Sequence, residues 1–96
     1  MLGFVIRSFR NKETEKVFRR QFSRKFQSIA RVAKRKLDHV HAAAAISDLG
    51  VIPGNRLEVL SGDRARQYSI RVSDQWRICF RWADADALEV EIVDYH

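Results

Sequence analysis

The chain has 96 residues, 46% of them hydrophobic, and a formal net charge of +6, which fits one domain built on one modest core. No apolar run approaches the ~20 residues that span a bilayer, and the first apolar residues meet Arg7 too soon for a signal-peptide core. The single Cys79 has no internal disulfide partner, so a membrane protein or a disulfide scaffold is set aside and a soluble, cytoplasmic chain with an ordinary packed thiol is expected.

The predicted elements begin with a short strand over Met1–Phe9, where Leu2, Phe4 and Ile6 alternate. Asn11 is a helix cap, with Glu13 and Glu15 near the positive end of the dipole and Val17, Phe18 and Phe22 as the apolar stripe. A second helix is expected from near Ser23 to about Ala45. Phe26, Ile29, Ala30, Ala33, Leu37, Val40 and Ala44 recur in it at helical spacing. Its other face carries Arg24, Lys25, Arg31, Lys34, Arg35 and Lys36, with Asp38 the one acid, at i+4 from Lys34. Pro53-Gly54-Asn55 then breaks the chain, and the period changes to two. Leu57, Val59 and Leu60 read as a strand, Ser61-Gly62-Asp63 as a turn, and Tyr68, Ile70 and Val72 as the next strand. Trp76, Ile78, Phe80 and Trp82 make another, and Leu88, Val90 and Ile92 the last. The order β-α-α-β-β-β-β predicts a single α+β domain over 1–96, with two helices on one face of a largely antiparallel sheet.

Charge is unevenly spread. Residues 1–41 hold twelve Lys/Arg against Glu13, Glu15 and Asp38, whereas residues 42–96 hold six Arg against nine acids. Such basicity points to nucleic acid or an acidic partner. The two histidines of the basic half, His39 and His41, are two residues apart on a helix and point to different sides, so no metal site is expected.

The strand pattern fixes a testable register. If Ser73-Asp74-Gln75 is a three-residue loop, Arg71 faces Arg77, Ile70 faces Ile78 and Tyr68 faces Phe80. A loop over Ala83–Ala87 then sets Trp82 against Leu88, Phe80 against Val90, Cys79 against Glu91 and Arg81 against Glu89. Both registers place Trp76 and Trp82 on the core side and leave Arg71, Arg77 and Arg81 on the uncovered face. Like charges directly across a ladder are unfavourable. Arg71 opposite Arg77 therefore suggests an anion seated between two guanidinium forks, while Arg81 has Glu89 as a solvated partner.

Several segments resemble the HigB-type toxins of the RelE/ParE superfamily from bacterial toxin–antitoxin systems. They are Pro53-Gly54-Asn55-Arg56-Leu57, Leu60-Ser61-Gly62-Asp63-Arg64, Tyr68-Ser69-Ile70-Arg71-Val72, Gln75-Trp76-Arg77-Ile78-Cys79-Phe80 and Asp94-Tyr95-His96. The resemblance is most specific from Pro53 onward. It implies a RelE-like fold and an enzyme without cofactor or metal, a ribosome-dependent endoribonuclease that cleaves translated mRNA through 2′-hydroxyl attack on the adjacent phosphate. It also implies a HigA-like helix-turn-helix antitoxin as partner, with the ribosome and mRNA as targets and no membrane. By the same resemblance Arg77 holds the scissile phosphate, Asp94, Tyr95 and His96 form the catalytic trio, and Arg64 belongs to the G-D-R turn. Two residues depart from the usual pattern: Ser61 stands where lysine is common, and Glu58 where histidine is common. That weakens phosphate stabilisation unless Arg64, Arg66 or Arg71 supply it. Arg64, Arg71, Arg81 and Ser61 are thus the expected phosphate contacts.

The chemistry needs in-line placement, proton transfer and neutralisation of phosphate charge. Arg77, with Arg71 or Arg64, suits the last, and the unperturbed pKa of a histidine makes His96 a candidate for proton transfer near neutrality. Tyr95 offers a ring for stacking and Asp94 an orienting carboxylate. The basic helical residues Arg24, Lys25, Arg31, Lys34 and Arg35 are candidates for contact with ribosomal RNA. The alternative is a non-enzymatic poison of the same superfamily, acting on gyrase as ParE-like toxins do or on ribosome assembly. The Asp94-Tyr95-His96 ending argues against it.

Overall fold

The computed structural model of the chain describes residues 5–62 and 66–95. Three helices precede the sheet: α1 (Lys12–Phe18), α2 (Ala30–Ala42) and α3 (Ser47–Gly50). Four strands follow, β1 (Glu58–Val59), β2 (Gln67–Arg71), β3 (Trp76–Ala83) and β4 (Asp86–Asp94), in the order β1-β2-β3-β4 with antiparallel neighbours throughout. The α+β architecture is the expected one. The first predicted strand is reduced, among the described residues, to two parallel bridges along the free edge of β4, Ile6 with Ala87 and Phe9 with Val90.

The first helix begins where its cap chemistry says it should. Asn11 Oδ1 accepts from the Thr14 amide at 2.9 Å, satisfying one of the orphan donors of the first turn. Thr14 is fully buried, and its hydroxyl accepts from the Ile92 amide at 3.0 Å, which ties α1 to β4. The second helix starts later than its apolar stripe predicts, at Ala30 rather than near Ser23. Ser23 Oγ instead accepts from the Phe26 amide at 3.3 Å, and the Ile29 amide reaches only to the Phe26 carbonyl. This tighter winding drops Phe26 into the core, its ring edge-on to Trp76 at 5.3 Å. The four-residue α3 has too little periodicity to be visible in the sequence.

Even-numbered strand residues meet the helices. Ile70, Ile78, Phe80, Val90 and Ile92 join Val17, Phe26, Ala33, Leu37 and Val40 in one buried cluster. The β2–β3 register is as expected: Arg71 opposite Arg77, Ile70 opposite Ile78 and Tyr68 opposite Phe80. The β3–β4 register holds for Ile78–Ile92 and Cys79–Glu91 but shifts by one beyond Cys79, so that Arg81 faces Leu88 and Trp82 faces Ala87. The five-residue loop is also replaced, because β3 ends at Ala83 and β4 begins at Asp86.

Two local requirements conflict, which explains the shift. Asp84 and Ala85 both take positive φ (52° and 67°), as the central residues of a type I′ turn do. That turn imposes a pairing one residue out of step with the apolar alternation of Ile78 and Ile92. Glu89, also at positive φ (52°), absorbs the extra residue, so that Glu89 and Val90 both stand across from Phe80. The Ser8 hydroxyl accepts from the displaced Glu89 amide at 2.9 Å. Ala87 thereby takes the core position (0% exposed) that the sequence assigns to Leu88.

A second buried network fixes the loop before β1. Lys36 is only 6% exposed, and its Nζ donates to Asn55 Oδ1 at 2.5 Å. Asn55, fully buried, donates through Nδ2 to the Leu49 carbonyl, and its own carbonyl accepts from the Arg71 amide. No carboxylate among the described residues pairs with Lys36. Burial, with Arg35 and Arg71 nearby, lowers its pKa below the ordinary lysine range.

Two outcomes follow from these observations. Ala85→Gly removes a left-handed Cβ from the type I′ turn and raises stability by about 1 kcal/mol, or a Tm gain of roughly 4–8 °C by calorimetry. Asn55→Ala strips the buried ammonium of its acceptor and lowers the urea unfolding free energy by about 1.5–3 kcal/mol. Because the folded pKa of Lys36 lies below its unfolded value, the unfolded chain binds more protons in the interval between them. Stability therefore rises with pH across that alkaline window, and Lys36→Met abolishes the rise.

Candidate active site

The odd-numbered side chains of the sheet are not simply solvated. Ser69, Arg77, Cys79 and Glu91 are all buried on the face away from the helices. Arg77 is the centre of this group and is 5% exposed. Its Nε donates to Ser69 Oγ at 2.9 Å and its Nη2 to the Arg56 carbonyl at 2.6 Å. Glu58 Oε1 lies 3.3 Å from the same Nη2. The Tyr95 ring covers the guanidinium, with its centroid 4.8 Å from the central carbon, within cation–π range. These contacts engage Nε and Nη2 of the guanidinium, and no partner of Nη1 is found among the described residues.

Each wall of this pocket has a local cause. Arg56 follows the Lys36-anchored Asn55 and takes a positive φ (47°), and it is its carbonyl that meets Arg77. Glu58 arrives through the pairing of β1 with β2, which sets it opposite Ser69. Tyr95 is held by its amide, which donates to the Gln75 carbonyl at 2.6 Å, while Gln75 Nε2 donates to the Asp94 carboxylate at 3.2 Å. The Tyr95 hydroxyl reaches Glu58 Oε1 at 3.4 Å. Glu58 thus lies against both Arg77 and Tyr95 while remaining 49% exposed.

The structure brings together Arg77 and Tyr95, while Asp94 stands opposite Trp76 and accepts from Gln75 Nε2. His96 and Arg64 lie outside the described residues. Ser61 is exposed between β1 and β2. Arg71 stands opposite Arg77 as expected, but the two forks do not converge: Arg71 Nη2 pairs with the exposed Asp74 at 2.5 Å, and Arg77 turns to Glu58 and Arg56. Arg81 is not part of the cluster. It stands four residues further along β3, about 13 Å away at the strand rise, exposed and paired with Glu89 at 3.1 Å. The expectation of three bare arginines therefore needs correction, since Arg77 is enclosed by β1 and the C-terminal tail.

Glu58, which by its departure from the usual pattern was expected to weaken phosphate stabilisation, is Arg77's ion-pair partner. The alternation of Leu57 and Val59 around it was the available signal, because it puts Glu58 on the polar face. Arg56 contributes through its backbone carbonyl and Gln75 through a tail contact, and neither has a sequence signature.

On the helical side, Arg24, Lys25, Arg31 and Arg35 are exposed. Lys34 pairs with Asp38 at 2.6 Å and lies over the Phe18 ring at 4.6 Å.

Comparison with known proteins agrees with this architecture. Residues 7–96 match the family described as the RelE-like toxin of type II toxin–antitoxin system HigB. Toxin HigB-1 of Vibrio cholerae serotype O1 is 48% identical over 61 residues, 64% of this chain and 64% of that protein. An uncharacterized protein of Haemophilus influenzae is 38% identical over 55 residues, 57% of this chain and 54% of the relative. The matched segments thus span between half and two thirds of these curated relatives. The YoeB–YefM complex from Staphylococcus aureus contains a chain that shares the fold at a TM-score of 0.59 and 13% identity, covering 95% of this chain and 97% of that one. A family match over residues 7–96, nearly the whole chain, settles the membership: this protein belongs to the HigB-like family, the RelE-like toxins of type II toxin–antitoxin systems.

Proposed function

We propose that the chain is the toxin of such a system, a ribosome-dependent endoribonuclease that cuts translated mRNA in the cytoplasm and is restrained by a HigA-like helix-turn-helix antitoxin. The observation that carries this reading is the Arg77–Glu58–Tyr95 cluster. It sets a permanent cation, a half-exposed carboxylate and an aromatic ring side by side.

The reaction assigned to it is transfer of a backbone phosphate from the 5′-oxygen of one nucleotide to the 2′-oxygen of its neighbour. Glu58 takes the 2′-hydroxyl proton as the 2′-oxygen attacks phosphorus. The Nη1 donors of Arg77 meet the non-bridging oxygens as charge collects on them. His96 gives a proton to the departing 5′-oxygen, leaving a 2′,3′-cyclic phosphate and a 5′-hydroxyl. The Tyr95 ring, 46% exposed, stacks on a flanking base, and the Gln75–Asp94 contact holds the tail in place. The basic residues Arg24, Lys25, Arg31, Lys34 and Arg35 supply the phosphate contacts that hold the toxin on ribosomal RNA.

Mapping mRNA 5′ ends after brief induction tests the reading, with cuts at fixed codon positions expected. Glu58→Gln keeps the shape and removes the base, and should slow cleavage by about 10²–10⁴-fold with little change in Tm. Removal of Tyr95 and His96 should abolish cleavage while the fold persists. Growth arrest with intact mRNA would instead move the target to gyrase or to ribosome assembly.

A further inference from the structure

Among the lysines and arginines of α2, Lys36 alone is buried, whereas Arg31 and Arg35 are exposed and Lys34 is half-buried. Its ammonium meets a neutral acceptor, Asn55 Oδ1 at 2.5 Å, and no carboxylate among the described residues. As a source of stability this is a poor arrangement. A buried charge facing a neutral amide recovers little of its lost hydration, and an apolar side chain of the same length fills the space at lower cost. What an ammonium adds is direction, because it holds one oxygen at one place. Asn55 is then fixed at its other polar atoms as well. Its Nδ2 donates to the Leu49 carbonyl at 3.1 Å and its amide to the Ile52 carbonyl at 3.3 Å, and its carbonyl accepts from the Arg71 amide at 2.6 Å. The next residue is where direction matters. Arg56 is left-handed (φ 47°), a conformation that disfavours any residue with a Cβ and persists only where its surroundings hold it. Leu57 beyond it packs against the core. Arg56 thus hangs between two fixed neighbours, and its carbonyl receives Arg77 Nη2 at 2.6 Å. Were Asn55 released, rotation of the Arg56–Leu57 peptide would relieve the left-handed backbone and turn that carbonyl away from Arg77.

We propose that Lys36 and Asn55 are positioning residues for the candidate site: the ammonium, acting through the Asn55 amide and the Arg56 carbonyl, sets the orientation in which the Arg77 guanidinium meets a substrate phosphate. Neither residue touches the substrate. The relay runs from the helical layer, through the loop before β1, to the face of the sheet that no helix covers. Its last link engages the Nη2 that also faces Glu58 at 3.3 Å. With the carbonyl turned away, Glu58 draws the guanidinium toward itself, and both groups leave the alignment that the reaction requires. An arginine aligned in advance favours the transition state over the bound substrate. Loss of the relay therefore lowers the rate at saturation more than it weakens binding. The inference rests on the nuclease reading for the substrate it names, and on the hydrogen bonds alone for the relay.

Two measurements on the full chain test it, one of them blind to nuclease activity. In side-chain NMR, Lys36→Met and Asn55→Ala should each shift the Arg77 guanidinium resonances toward those of the exposed arginines. Single-turnover cleavage on programmed ribosomes should fall by roughly tenfold or more at saturating toxin, with the half-saturating concentration changed by less than about twofold. Val17→Ala, a core truncation in α1 that also lowers Tm, should move neither reading. An Arg77 signal and a saturated rate that stay with those of Val17→Ala overturn the proposal. The wild type supplies an arm that survives a variant's failure to fold. Lys36 faces Arg35 and His39 from α2 and Arg71 from β2, and its own resonance reports its ionisation as pH is raised. The Arg77 resonances should move with that midpoint; movement with the Tyr95 ionisation instead, or no movement, overturns the proposal. A wild type that cuts no mRNA sinks the nuclease reading and leaves the Arg77 resonances to decide the relay.

Discussion

A guanidinium withdrawn from water on the side of the sheet that no helix covers is the constraint on which the rest depends. Arg77 is enclosed by three segments distant in sequence: the loop through Arg56, the edge strand through Glu58 and the tail through Tyr95. Burying a charge is costly unless hydrogen bonds and a counter-charge return what hydration supplied. Here Ser69 and the Arg56 carbonyl accept two N–H groups, Glu58 supplies the opposite sign, and an aromatic face closes the top. Each of these segments is also positioned by contacts of its own, and Arg77 is where they meet. The buried Lys36–Asn55 contact serves the same end from below, by holding the residue just before Arg56.

The sheet shows how one local choice propagates. Asp84-Ala85 closes a tight turn whose twist suits the flanking strands, and Glu89 then bulges to return Ile92 to its place opposite Ile78. The bulge also lies beside the N-terminal segment, where Ser8 accepts the amide it displaces. Arg10 approaches Glu89 and Glu91 at 3.6 and 3.7 Å from the same segment. An irregularity in β4 thus becomes the anchorage of the chain's beginning.

Much of this was legible in local pattern. Alternation across Tyr68–Val72 and Trp76–Trp82 fixed which residues face the helices, and face consistency alone selected the loop Ser73-Asp74-Gln75. The cap at Asn11 was equally plain. What escaped were effects decided by distant partners. The stripe through Phe26 and Ile29 has helical spacing, but the core under Trp76 draws Phe26 down and delays α2. Alternation told that Arg77 lies on the outer face, not that β1 and the tail would fold over it. Glu58 looked like a liability because its opposite number lies nineteen positions away. Turn chemistry hid the bulge, since neither Asp84-Ala85 nor Glu89 carries the glycine that usually announces a left-handed backbone.

Glu58 rides on a strand of two residues at the rim of the sheet. So short an edge offers little template for a second molecule to extend, which guards the chain against stacking on itself. It also sits at the low end of the molecule's hierarchy of opening free energies. The carboxylate that pairs with Arg77 is therefore carried by the shortest strand at the sheet's rim, outside the buried apolar cluster.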